Sequence, residues 1–263
     1  DASHVSQVPP AESADAVPPP LDPDALAVDD RLVALTEPQG LMAEEYRAIR
    51  TSMLARWKQQ RHLVHTITSA TPQEGKTLTS LNLGLSFAEL RTRRTIVIEA
   101  DLRIPQFQNL LGLSDSPGLV GLLSGEATLP ESVIRVPGSR LDVIPAGQRA
   151  NDRAVQLLSS GDATDLVKLL RQQYDHVIID TPPVVELADA GIIGAISDDV
   201  VLIARMNRTP RPLIEQAVRI LNSYNAPVVG IIGTDHQSSR HRKLYRYGYG
   251  YRYANYRYYA KAA

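Results

Sequence analysis

Ala70-Thr71-Pro72-Gln73-Glu74-Gly75-Lys76-Thr77 is the stretch on which the reading of this chain turns. It fits the phosphate-binding pattern G-x-x-x-x-G-K-[ST], with Ala70 in place of the first glycine. A short β-branched run, Leu63–Thr68, precedes it, and helix formers over Thr77–Leu90 follow it. A strand, a loop and a helix in that order point successive backbone N–H groups and a helix N-terminus at one place, which makes an anion site. The predicted nucleotide-binding residues are Thr71, Pro72, Gln73, Glu74, Gly75, Lys76, Thr77 and Leu78. In this pattern Gly75 lets the backbone close on phosphate, Lys76 reaches the β and γ phosphates, and the Thr77 hydroxyl holds Mg²⁺. ATP and Mg²⁺ are the ligands it predicts.

Downstream, apolar runs alternate with helical segments. Strands are predicted at Thr95–Ile98, Leu141–Ile144, His176–Ile179, Val200–Ile203 and Val228–Ile232, and helices at Leu41–Lys58, Ala163–Gln173 and Arg211–Tyr224. Continuous apolar strands between helices predict an α/β, P-loop NTPase-type fold, a mostly parallel sheet with helices on both faces. Ligands on such sheets sit at the carboxyl ends of the strands. Two acidic strand ends fall on that edge, Glu99-Ala-Asp101-Leu-Arg103 and Asp180-Thr-Pro-Pro183. Asp180, after three apolar residues, suits a carboxylate that holds the water shell of Mg²⁺. Glu99 and Asp101 stand two positions apart where the strand ends, and their side chains are expected to diverge, one supporting the metal and the other accepting a hydroxyl proton.

The chain has 263 residues, 43% of them hydrophobic, enough for one sizeable core. It has no cysteine, which excludes disulfides and thiolate chemistry, and no apolar run nears the roughly 20 residues that span a bilayer. Residues 1–40 hold seven of the 18 prolines, and seven acids precede the first base, Arg31. This segment reads as a linker, with an apolar stretch near Leu26–Leu35 able to dock on the body. The body spans 41–235 and a tail 236–263. The net charge of −1 hides an asymmetry: Ser238–Ala263 carries seven bases and no acid, which leaves 21 bases against 29 acids before it, a net −8. Eight of the 11 tyrosines lie in the tail: Tyr245, Tyr247, Tyr249, Tyr251, Tyr253, Tyr256, Tyr258 and Tyr259.

These motifs resemble those of the bacterial tyrosine kinases of exopolysaccharide and capsule systems, the BY-kinases. The resemblance runs from about Gly40 to the C-terminus. It rests on the loop at 70–77, a second Walker-A-like motif at 96–103, a Walker B motif at 177–182 and the tyrosine-rich tail. A further match is Glu44-x-x-Arg47-x-x-Arg50, the family's subunit-contact motif, whose spacing sets the three charges along one helical ridge. The second motif departs from the family in one position: Glu99 stands where Asp is usual, reaching one methylene further. The resemblance implies an ATP-dependent protein-tyrosine autokinase. Lys76, Asp101, Asp180 and Glu99 are its catalytic residues, Thr77, Asp180 and Glu99 its metal-binding residues, and the eight tail tyrosines its phosphoacceptors. Implied partners are copies of the chain in a ring, with tails modified in trans, a membrane chain-length regulator or activator, fused or separate, and a protein-tyrosine phosphatase. The implied place is the cytoplasmic side of the cell membrane. Asp1 in place of an initiator Met, with the Pro-rich start, favours the fused arrangement.

Other readings stay open at this level. Partition and septum-site ATPases share the fold and the strand-end acids, but carry a lysine at the second loop position, here Thr71. Arginines interleaved with aromatics also suit a nucleic-acid-binding arm, although beside this loop nucleic acid is not the expected partner. The charge balance suggests a switch. Each phosphotyrosine carries about −1.5 to −2, so roughly four would cancel the tail's seven positive charges and release it from an acidic surface.

Overall fold

The computed structural model describes residues 28–58 and 60–234. The linker through residue 27, the tail from 235 and all eight tail tyrosines lie outside the described residues. The helices are α1 (Val33–Thr36), α2 (Leu41–Arg56), α3 (Lys76–Ala88), α4 (Phe107–Leu111), α5 (Gly118–Leu123), α6 (Leu129–Ser132), α7 (Ala154–Leu158), α8 (Gly161–Gln173), α9 (Asp189–Ala195) and α10 (Arg211–Ser223). The strands are β1 (Leu63–Ser69), β2 (Thr95–Glu99), β3 (Ile134–Arg135), β4 (Leu141–Ile144), β5 (His176–Asp180), β6 (Asp199–Arg205) and β7 (Val228–Thr234). They form one sheet in the order β3-β4-β2-β5-β1-β6-β7, parallel except for β3, which pairs antiparallel with β4 at the edge.

Side-chain alternation along the strands builds the two faces. Ile96, Ile98, Val177 and Ile179 pack on one face with Leu157, Leu166 and Leu170, from α7 and α8. Val97, Ile178, Val201 and Ile203 pack on the other with Leu81, Leu85 and Phe87 of α3. Every residue from Thr79 to Ala88 is buried, because α3 lies between the sheet and α2. Gly84 permits that approach: a Cβ there would overlap Val97 Cγ2 and stand 3.3 Å from Leu141 Cδ1.

The packed body begins before residue 41, where the linker was expected to end. Leu32 is fully buried in the α3 face, Val28, Ala34 and Leu35 pack against it, and Asn82 accepts from the Ala34 N–H at 3.0 Å. The amino end of the sheet holds a buried polar chain. His65 Nδ1 lies 3.0 Å from Asp199, His65 Nε2 lies 3.2 Å from His176 Nδ1, and the Trp57 indole donates to Asp199 at 2.6 Å. Burial first, then His65 and nearby arginines, lowers His176 to a pKa of about 3, so it is neutral there.

Candidate functional site

In the order β2-β5-β1 the three motif-bearing strands are neighbours, and all three run the same way. Ile67 and Glu99 both pair in register with Asp180, so the loop after β1 and the ends of β2 and β5 meet at one carboxyl edge. That is the edge where parallel sheets place ligands.

The loop from Ala70 to Gly75 is shaped by two left-handed residues, Gln73 at φ 61° and Gly75 at φ 91°. Gly75 is the N-cap of α3, and no side chain caps that end. The first backbone N–H groups of α3 are therefore left to an outside acceptor, and with the helix dipole they favour a phosphate. Glu74, buried, locks the loop. Its carboxylate accepts from the Ala70 N–H at 3.1 Å, the Thr71 hydroxyl at 2.8 Å and the Thr209 hydroxyl at 2.5 Å. Its carbonyl accepts from the Thr234 hydroxyl at 2.6 Å. Thr209 follows β6 and Thr234 ends β7, so the two strands beyond β1 both brace the loop. Sequence reading missed both threonines, because nothing local marks a partner 135 or 160 positions away.

Lys76 Nζ donates to Asp101 Oδ2 at 2.9 Å and lies 3.5 Å from the Thr77 hydroxyl. Burial alone would lower the Lys76 pKa, but Asp180, Asp101 and Glu99 outweigh it and hold the ammonium above its ordinary value. Asp180 is fully buried. Its Oδ1 accepts from the Ser80 hydroxyl at 3.1 Å, while its Oδ2 has no hydrogen-bond partner. Burial pushes the Asp180 pKa up to about 6, against the pull of Lys76 and of the nearby Thr77 hydroxyl. A buried carboxylate oxygen without a partner, beside a threonine hydroxyl and an ammonium, fits Mg²⁺ with its water shell. Among the described residues no group of three or more His, Cys, Asp or Glu could hold a metal by itself.

Glu99 and Asp101 diverge. Asp101 faces Lys76, and its Oδ1 accepts from the Ile104 N–H at 3.1 Å. Glu99 turns the other way. Its Oε1 accepts from the N–H groups of Gln106 and Phe107, the latter at 2.8 Å, and its Oε2 from the Ala146 N–H at 3.0 Å. Three backbone donors therefore occupy both oxygens of Glu99. The longer side chain ties the loop after β2 to α4 and to the end of β4, and burial raises its pKa to about 7 against those donors. Arg103 reaches the buried Asp189 of α9 at 3.0 Å, which fixes the far side of the 99–103 loop.

Glu44, Arg47 and Arg50 lie on α2, apart from the phosphate edge. Arg47 pairs with Glu44 and donates to Glu89 at 2.8 Å, and Arg50 donates to Glu89 at 2.9 Å and to the Ser86 carbonyl. Within the chain, both arginines clasp α2 to the end of α3. Leu41 and Met42, one turn earlier, are 66% and 46% exposed.

Comparison with known proteins follows this geometry. The AAA domain family model matches residues 72–217. The tyrosine-protein kinase YwqD of Bacillus subtilis (strain 168) is 32% identical over 217 residues, covering 82% of this chain and 91% of that protein. The tyrosine-protein kinase ptk of Acinetobacter johnsonii is 34% identical over 211 residues, 79% of this chain but 28% of that longer protein. The kinase domain of the Escherichia coli tyrosine kinase ETK superposes with a TM-score of 0.73 at 27% identity, covering 79% of this chain and 82% of that one. The Pyrococcus furiosus cell division ATPase MinD, at a TM-score of 0.58 and 19% identity over 68% of this chain and 74% of that one, shares the fold. Among the described residues no helix is long and apolar enough to cross a membrane.

Proposed function

Since the chain belongs to the bacterial tyrosine kinase family, the AAA-domain proteins called BY-kinases, and is a protein-tyrosine kinase, we propose that it phosphorylates its own C-terminal tyrosine cluster. Through that modification it regulates the synthesis or export of an exopolysaccharide or capsule. The observation that carries this reading is the meeting of Lys76, Thr77, Asp101 and Asp180 at one sheet edge, with Asp180 Oδ2 left open. ATP bound with Mg²⁺ supplies the phosphoryl group and the charge neutralisation.

The backbone N–H groups of residues 73–77, at the N-terminus of α3, hold the phosphate oxygens. Lys76 exchanges Asp101 for a phosphate oxygen, which leaves Asp101 Oδ2 open to a phenol. Asp101 then orients the tyrosine and takes its proton as the phenolic oxygen bonds to phosphorus and the bond to the β-phosphate oxygen breaks. Thr77 and Asp180 would hold Mg²⁺ and its water. Glu99 positions the Asp101 loop through its three backbone partners.

The body tyrosines support the tail as acceptor. Tyr174 is fully buried and donates to Asp142 at 3.0 Å, Tyr46 is half-buried against the α3 face, and the Tyr224 ring packs on Gly191. The eight tail tyrosines, from Tyr245 to Tyr259, are the proposed sites. The exposed apolar end of α2 beside Glu44 is the proposed contact with a neighbouring copy, whose tail enters in trans, and Arg47 and Arg50 hold that helix in place. The proposed setting is the cytoplasmic face of the cell membrane, with a membrane activator and a phosphatase as partners.

The test is incubation with labelled ATP and Mg²⁺ of the wild type, of Lys76→Met, and of a chain lacking Tyr245–Tyr259. The expected result is label on tail tyrosine in the wild type alone. An oligomeric wild type that hydrolyses ATP without labelling itself refutes the reading and favours an ATPase switch.

A further inference from the structure

The outermost strand, β7, and the helix that covers it, α10, leave a surface groove of about 590 Å³ that the nucleotide site does not use. Ile214, Val218 and Ile231 line it together with Arg211, Arg219 and Glu215. Ile231 is 52% exposed, unusual for a strand residue of its size. Arg211 holds Glu215 at 2.8 Å through an exposed pair of a kind that is weakly held. Arg219, also exposed, has no carboxylate partner among the described residues. Aliphatic side chains flanked by two guanidinium forks match a ring that carries a dianion: the ring covers the isoleucines and valine, and the forks take the phosphate oxygens. Two forks suit one aryl phosphate at a time better than a track of phosphates.

We propose that this groove is a phosphotyrosine-binding site that captures the chain's own tail after phosphorylation, which rests on the autokinase reading above. Three observations select that occupant. β7 ends at Thr234, so the tail starts from the groove's own strand. Tyr245 is 11 residues beyond Thr234, a reach of up to about 36–40 Å, whereas Ile231 lies only three strand residues back, about 10 Å. The charges match only after modification. The unmodified tail carries seven bases and no acid from Ser238 on, and two arginines repel it. With more than about four phosphates the tail turns negative and the same arginines attract it. Capture would withdraw a finished tail from the kinase edge and leave the edge open to an unfinished one.

The test uses synthetic, fluorescently labelled peptides of residues 243–259, so that it does not depend on the kinase reaction. One carries phosphate on Tyr245, Tyr247, Tyr249, Tyr251 and Tyr253, one is unmodified, and one has Glu at those five positions. They are titrated against the full chain bearing Lys76→Met, which keeps its own tail unmodified. The phosphopeptide is expected to bind at least tenfold more tightly than either other peptide. Arg211→Glu with Arg219→Glu should weaken it at least tenfold, Arg211→Lys with Arg219→Lys should weaken it less, and saturating MgADP, added to phosphatase-treated wild type with Lys76 intact, should leave it bound. Both arginines are exposed, and an unchanged melting temperature confirms that the variants fold. Equal binding of the Glu peptide, indifference to both arginine pairs, or displacement by MgADP from the wild type overturns the proposal. A wild type that fails to label itself sinks the autokinase reading while leaving the peptide result intact. A self-labelling wild type with no phosphopeptide affinity sinks the groove alone.

Discussion

Replacing Asp180 with Asn should abolish phosphoryl transfer and yet make the nucleotide-free protein more stable. Burial raises this carboxylate from an ordinary value of 3.8 to about 6, although Lys76, Thr77 and Ser80 all favour its charged form. The folded state therefore binds a proton between those two values that the unfolded chain has already released. Stability from this group is full below pH 3.8, falls as the pH rises to about 6, and stays lost above it. At about 1.4 kcal/mol per pH unit, the loss is about 3 kcal/mol. Asn has the shape of the protonated acid and cannot ionise, so it restores that amount at neutral pH. For a domain of this size, about 3 kcal/mol corresponds to a rise in Tm of roughly 6–12 °C. The assay is thermal unfolding of wild type and Asp180→Asn at pH 4, 5, 6 and 7.5, with EDTA and without nucleotide. The two melting temperatures should meet near pH 4 and separate above pH 6. The slope left in the variant should come from Glu99, whose raised value of about 7 acts in the same direction. MgADP should stabilise the wild type more than the variant. A variant that melts at or below the wild type at pH 7.5, or an offset that ignores pH, refutes the argument that the site stores the cost of an unpartnered buried charge.

Three further outcomes are expected. Gly84→Ala should cost about 1–3 kcal/mol in urea unfolding, because its methyl group would overlap Val97 beneath α3; an unchanged midpoint would contradict that packing. Thr234→Val removes the 2.6 Å hydrogen bond that braces the Glu74 carbonyl, and should weaken ATP binding by calorimetry about 2- to 10-fold, equivalent to about 0.5–1.5 kcal/mol. Asp199→Ala leaves the His65 ring and the Trp57 indole N–H without their buried acceptor, and should cost about 2–5 kcal/mol, with a change in fluorescence from the single Trp as an independent readout.

The long elements were legible because their signals are local. The apolar strands at 95–98, 141–144 and 176–179, and the helix from Thr77, carry their periods in consecutive residues, and observed bounds differ by a residue or two. The pieces that escaped are short and held by distant contacts. β3 is two residues at the sheet edge, with neither residue fully buried. α5 starts at Gly118 with φ 56°, where a Cβ would collide with the backbone of residues 145–147. No helical period can announce five or six residues whose shape is imposed from 27 to 29 positions away. The hydrophobic docking of Leu32 was visible as an apolar stretch, but its partner was not.

The order of residues along the chain determined the phosphate loop, the sheet class and the acids at the strand ends, since each depends on neighbours a few positions apart. Which of those acids serves the nucleotide was decided in three dimensions. Glu99 and Asp101 look alike on paper, two positions apart at the end of one strand. The strand ends at Glu99, and the loop that begins there turns the chain, so Glu99 meets three backbone N–H groups of the 106–107 and 146 segments while Asp101 meets Lys76. Likewise, nothing local says that Asp180 Oδ2 lacks a partner or that Thr209 and Thr234 brace the loop. Hydrogen bonding and desolvation depend on what the folded chain brings within 3 Å, and that set is fixed only when β2, β5 and β1 lie side by side.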